Sequence, residues 1–124
     1  MSSFSDALAI ELLEVIRGKT YEAALYTTAP LADGTGGVEV SQPSYARVAF
    51  DGADFTAADA TRTLSNTAVV EFPQHEEAWG QIKAIGFIEG STLQLIGGIS
   101  PARNVVVGQS PFQLDVGDIQ VTLA

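Results

Sequence analysis

The sequence predicts a mainly β fold: a single antiparallel β-sandwich of jelly-roll type, with about eight short strands behind one N-terminal α-helix. Three observations lead there. Only the first segment has helical periodicity. After Lys19, short runs rich in Val, Ile, Thr, Phe and Tyr alternate with clusters of Gly, Pro, Asn, Asp and Ser. Turn signals then recur roughly every 8–12 residues, the spacing of sandwiches and barrels. No repeat or long linker interrupts the 124 residues, so one domain is expected, with residues 1–19 as the helical segment and 20–124 as the sandwich.

The helix is expected from Ser5 to Arg17, a stretch without Gly or Pro. Phe4, Leu8, Leu12, Val15 and Ile16 recur at spacings of three and four and form an apolar stripe, which Ile10 and Leu13 widen. Ser5 is a natural N-cap, Asp6 suits the positive end of the helix dipole, and Gly18 supplies a stop. So broad an apolar face has two uses: lying across the sheet of its own domain, or packing against copies or a partner.

Strands are expected at Tyr21 to Thr28, closed by Pro30 and the glycine-rich stretch to Gly37, then at Val38 to Val40 and Tyr45 to Phe50. Asp51 to Asp59 reads as a loop, and Thr67 to Phe72 alternates as a half-buried strand before Pro73. Gln74 to Gly80 is a connection. Ile82 to Glu89 and Thr92 to Ile99 are two strands joined by a turn at Gly90-Ser91. Pro101 to Asn104 is expected to turn the chain into Val105 to Val107. Phe112 to Leu114 and Ile119 to Leu123 complete the series.

Six Lys plus Arg against fifteen Asp plus Glu give a formal charge of −9, a field that repels nucleic acid and anionic membrane surfaces. Met1 to Asp6 lacks the basic region of a secretion signal, and no stretch reaches the ~20 apolar residues of a membrane helix. With no cysteine, thiolate metal sites, thiol nucleophiles and disulfides are all excluded.

No catalytic constellation, cofactor motif or metal site is evident, and no enzyme is expected. His75 is the only histidine; a hydrolase using it with Glu76 or Glu77 lacks an activated nucleophile, and a surface loop is the expected setting. Gly34-Thr35-Gly36-Gly37 lacks the Lys and the following helix of a phosphate loop and reads as a turn. Asp51 with Asp54, and Asp115 with Asp118, lack EF-hand order and suit turn formation. Arg47, set among Tyr45, Val48 and Phe50, needs a carboxylate or carbonyl partner wherever it is buried. Trp79, the only Trp, anchors either the core or an interface. The candidate interface residues are Phe4, Leu8, Leu12 and Val15 on the helix, with Tyr45, Arg47 and Trp79.

The order of motifs is informative. The helix ending at Gly18 is followed by Ala24-Leu25-Tyr26-Thr27-Thr28-Ala29-Pro30, then Gly34-Thr35-Gly36-Gly37-Val38-Glu39-Val40-Ser41, Tyr45-Ala46-Arg47, Phe72-Pro73 and Trp79-Gly80. This series resembles a family of small bacteriophage tail fibre or minor tail proteins over essentially the whole chain, with Val38 as an extra residue in the glycine-rich turn. The resemblance implies a virion structural protein of the tail or its fibres. Its partners would be other phage structural proteins and further copies of itself, a trimer being favoured, with contact to a host-surface glycan or receptor. A head decoration (cement) protein and a carbohydrate-binding β-sandwich, whose large aromatics would be Tyr21, Tyr26, Tyr45 and Trp79, remain the alternatives.

Overall fold

The computed structural model describes residues 5–122. The fold is mainly β, antiparallel, with one helix. The helix α1 spans Asp6–Arg17; the strands are β1 (Thr20–Thr28), β2 (Val38–Glu39), β3 (Val48–Asp51), β4 (Thr63–Ser65), β5 (Val70–Glu71), β6 (Gly80–Glu89), β7 (Thr92–Val105), β8 (Gln113–Leu114) and β9 (Gln120–Thr122). The chain forms two compact units. The first combines Asp51–Val69 with the described parts of Met1–Thr20 and Leu114–Ala124, and the second combines Tyr21–Phe50 with Val70–Gln113.

In the first unit, α1 begins and ends as its capping residues dictate. Ser5 Oγ accepts the Leu8 N–H at 3.2 Å, and the Gly18 N–H closes the last turn on the Glu14 carbonyl at 3.0 Å. Gly18 stops the helix from the right-handed region (φ −81°), without a left-handed cap. The face turned inward is Ala9 and Leu13, both fully buried, with Ile16 half-buried beside them. Leu8, Leu12 and Val15 of the expected stripe instead stand outward, 41, 37 and 57 % exposed. Phe4 lies outside the described residues.

What orients the helix is a close approach at its C-terminal end. The Gly52 N–H donates to the Lys19 carbonyl at 2.8 Å, and a Cβ at position 52 would sit 2.5–2.8 Å from the carbonyl oxygens of Ile16, Arg17 and Lys19. Glycine is therefore obligatory there. The same segment holds α1 through Arg17 Nε to the Phe55 carbonyl (3.3 Å), the Ala58 N–H to Glu14 (3.3 Å) and an Arg62–Asp6 ion pair (3.1 Å). Asp51 to Asp59, expected as a plain loop, thus contains a 3-10 turn (Gly52–Asp54) capped by the Asp51 side chain.

A strand pair completes this unit. β4 and β9 run antiparallel with Thr63 opposite Thr122, Leu64 opposite Val121 and Ser65 opposite Gln120. Beside them Asn66, 1 % exposed, uses its whole amide. Its Nδ2 donates to the carbonyls of Ala68 (2.8 Å) and Asp115 (3.0 Å), and its Oδ1 accepts the N–H groups of Gly117 (3.0 Å) and Ile119 (2.9 Å). The Asn66 backbone adds a donor bond to Ile119 and an acceptor bond from Gly117, both 3.1 Å. Four side-chain bonds are all that an amide side chain can make.

The second unit is built on a five-stranded sheet in the order β2-β1-β6-β7, with β3 also pairing with β1. The β6–β7 hairpin turns at Gly90, φ +62°, as the Gly90-Ser91 signal predicts. Alternation divides the sheet's residues between two faces. Tyr21, Ala23, Leu25, Ile85 and Phe87 share one, where Phe87 meets Tyr21 edge-on at 6.0 Å and Phe50 at 5.2 Å. Glu22, Ala24, Tyr26, Ala84, Gly86 and Ile88 share the other.

Pro101 does not turn the chain, contrary to expectation. β7 runs on to Val105 because it has β6 on one side only among the described strands, and because the register jumps there. Ala84 faces Gly98 while Ile82 faces Arg103, so the extra residues on β7 form an irregularity that takes up the missing N–H of Pro101. The expected strand at Thr67 to Phe72 shrinks to Val70–Glu71, since Thr67 and Ala68 serve the turn around Asn66.

Replacing Asn66 with Ala is expected to cost about 2 kcal/mol or more, because the Ala68 and Asp115 carbonyls and the Ile119 N–H lose their side-chain partner at once, while the Gly117 N–H keeps the Asn66 carbonyl. Asp at the same position should be nearly as damaging, since a carboxylate cannot donate to the two carbonyls. Urea unfolding of the two variants checks this; a loss below 1 kcal/mol in Asn66→Ala would remove the residue from its structural role.

Candidate functional site

Tyr45, Arg47 and Trp79 all belong to the second unit, and the structure brings the first two onto one carboxylate. β2 pairs with β1 so that Glu39 stands opposite Tyr26, on the sheet face that also carries Glu22. Arg47 Nε and Nη2 donate to Glu39 Oε2 and Oε1, both at 2.9 Å, a two-pronged pairing that a planar guanidinium allows. Its Nη1 lies 3.6 Å from Glu22. The Tyr45 hydroxyl donates to Glu39 Oε2 at 2.7 Å and accepts the Leu25 N–H at 3.0 Å. Arg47 thus has the carboxylate partner its setting among apolar residues calls for.

The charges respond accordingly. Burial works to raise the Glu39 carboxyl, but the hydrogen bonds from Arg47 and Tyr45 and the Arg47 charge prevail and hold it below the usual carboxylate value. Burial, reinforced by the bond to Glu39, pushes the Tyr45 hydroxyl well up, so it remains a donor. The hydrogen bond to Glu39 likewise raises the Arg47 guanidinium.

Trp79 is 2 % exposed and sits in the core of the second unit. Its ring meets Tyr45 edge-on at 5.4 Å, and Tyr45 in turn stacks on Phe72 at 6.4 Å. The Trp79 indole N–H donates to Ser44 Oγ at 3.1 Å, and Ser44 donates to Glu77 through both its hydroxyl and its N–H. Those two bonds hold the Glu77 carboxyl below its usual value.

His75 is also buried, 3 % exposed, and not on a surface loop as expected. Its segment is irregular, but the ring packs on Trp79 at 5.6 Å and its Nε2 bonds the Val106 carbonyl, which draws the side chain inward. The acidic pairs act as turn formers. Asp51 accepts from the Ala53 N–H at 3.0 Å, and Asp118 accepts from the Asp115 N–H at 2.8 Å.

Next to the Glu39–Arg47 pair the same sheet face holds an open groove of about 530 Å³. Its floor is Tyr26, Ile88 and Leu93, and Asp33, Arg47, Ser91 and Thr92 line it with polar groups. Sequence reasoning singled out Tyr26 and Arg47 but not Asp33, Ser91, Thr92 or Leu93, which lie in two turns and at the start of β7, distant in sequence. The floor exists because its neighbours are small: Ala24 and Ala84 pack with Tyr26 and Ile88. A Cβ on Gly86 would lie 2.8 Å from both the Tyr26 ring and Leu93.

The described chain is mainly β and antiparallel, with an apolar ridge exposed on its helix and an open groove on its sheet. The family model described as podophage GP4 fiber I protein gp80 matches residues 3–122. The chain belongs to this family, and the expected resemblance to phage tail fibre proteins is borne out. No match was found among curated proteins or solved structures.

The depressed Glu39 carboxyl links folding to pH. Its contribution is fully present above the unfolded value, near 4.5, and is lost as pH falls through the lower folded value. Glu39→Gln should therefore be less stable than the parent at pH 7, with the gap narrowing as pH falls below 4.5 and the parent carboxylate takes up its proton. Urea midpoints at pH 7 and pH 3 test this; a gap equally wide at pH 3 would contradict the linkage.

Proposed function

We propose that the protein is a structural subunit of a phage tail fibre, acting by assembly and by contact with the host surface and not by catalysis. The family match over residues 3–122 carries this reading. The lone His75 supports it too, since its ring is enclosed by Trp79 and the Val106 carbonyl and so is out of reach of a substrate.

Assembly runs through a homo-oligomer, a trimer being favoured. Leu8, Leu12 and Val15 support it: their spacings of four and three are those of the d, a and d positions of a heptad seam. All three are exposed on a helix whose other face is already seated, so self-association removes apolar surface from water at no expense to the fold.

Antibody-gold labelling of intact particles in the electron microscope is expected to place the protein on the tail or its fibres. Gold spread over the head would replace this reading with head decoration. In sedimentation equilibrium the purified chain should exceed its monomer mass, and Leu12→Lys should return it to a monomer. A parent chain that is already monomeric at micromolar concentration would end the helix-seam assignment.

A further inference from the structure

We infer that the groove on the second unit's sheet is a saccharide site, built to take a short neutral oligosaccharide. The inference rests on the proposed role in host-surface contact and names the site and the ligand chemistry for it. A groove of about 530 Å³ falls within the size range of small-molecule sites, roughly 300–1,000 Å³. Its lining is mixed in the way that a sugar ring requires. The Tyr26 ring with Ile88 and Leu93 gives an apolar floor for the C–H face, and the hydroxyls of Ser91 and Thr92 stand ready to exchange hydrogen bonds with sugar hydroxyls.

Two charged planar groups complete it. Asp33 uses Oδ1 to accept the Thr35 N–H (2.9 Å) and hydroxyl (2.6 Å), which fixes the carboxylate on its turn and leaves Oδ2 as an acceptor. Arg47 is held by Glu39 and Glu22, so its position is set before any ligand arrives. The same pairing decides the charge of the ligand. One guanidinium already faces two carboxylates, with Asp33 adding a third, so the groove has no spare positive charge for a phosphate or an acidic sugar. Hydrogen bonding to uncharged hydroxyls is the recognition that remains.

The turns on either side need glycine. Gly34 has φ +84° and Gly90 φ +62°, conformations that L side chains rarely adopt, and both residues line the groove. These turns, 56 residues apart, present Asp33 and Ser91 to the same space, with Thr92 beside Ser91 at the start of β7.

The full-length chain should be tested on a microarray of bacterial oligosaccharides, with O-chain and capsular fragments, neutral and anionic, printed as separate sets. Binding is expected on neutral glycans, and the set that binds identifies the source. Ser91→Trp, which fills the groove from an exposed turn, and Asp33→Asn, which keeps the Oδ1 acceptor but replaces Oδ2 with a donor, should each weaken it by about tenfold or more, with unchanged melting temperatures. No binding to any glycan, binding confined to anionic glycans, or binding unaffected by both substitutions would overturn the assignment. Such a failure leaves the gold-labelling result untouched, so the site and the fibre role stand or fall separately.

Discussion

Asn66 ties together two stretches of chain that lie far apart in sequence. Five of its six hydrogen bonds connect the turn after β4 to the Asp115–Ile119 turn before β9, and the sixth, to the Ala68 carbonyl, closes its own turn. That connection sets the register in which Leu64 lies opposite Val121, and one residue further on Thr67 is bound to the Asp54 carbonyl through both its N–H and its hydroxyl. The segment from Gly52 to Arg62 then carries the helix. An apolar residue at position 66 would take the side-chain partner from the Ala68 and Asp115 carbonyls and the Ile119 N–H, and a carboxylate could not donate to the two carbonyls. The first unit is therefore organised around a polar residue, with Leu13, Phe55 and Leu64 filling the space that it defines.

In the second unit the organising variable is side-chain size. One face of the sheet carries Tyr21, Phe50 and Phe87 and closes as an aromatic core. The other carries Ala24, Ala84 and Gly86, too small to fill the space above them, so Tyr26 lies over the sheet and an open groove remains. The network of Glu39, Tyr45 and Arg47 stands at one side of that groove, where polar groups satisfy one another without closing it.

Local signals were readable in the sequence. The helix and both its caps, the Gly90-Ser91 hairpin and the β texture after Lys19 all follow from propensity and period, which act over a few residues. Long-range pairing was not readable. The choice of Ala9 and Leu13 over Leu8 and Leu12 as the inward face depends on a glycine more than thirty residues away. His75 is drawn into the core by the Val106 carbonyl and Trp79, neither of which marks position 75 in the sequence. Pro101 reads as a turn residue unless its strand is known to lie at the rim of the sheet beside a register jump. Tyr45 and Arg47 were recognisable as residues in need of partners, but the identity of the partner, Glu39, required the strand register.

The Asn66 arrangement also imposes an order on synthesis. Its partners at positions 115, 117 and 119 lie 49 to 53 residues further along the chain. At bacterial elongation rates, about 50 residues take roughly 3 to 10 s. For that interval the nascent chain holds α1 and the loop that cradles it but lacks the strand that locks them, and the β6–β7 hairpin is completed in sequence at Val105, before Asp115 to Ile119 are made. The sheet can consolidate during translation, whereas the helix-bearing unit must wait. The apolar ridge of Leu8, Leu12 and Val15 therefore acquires its fixed support last.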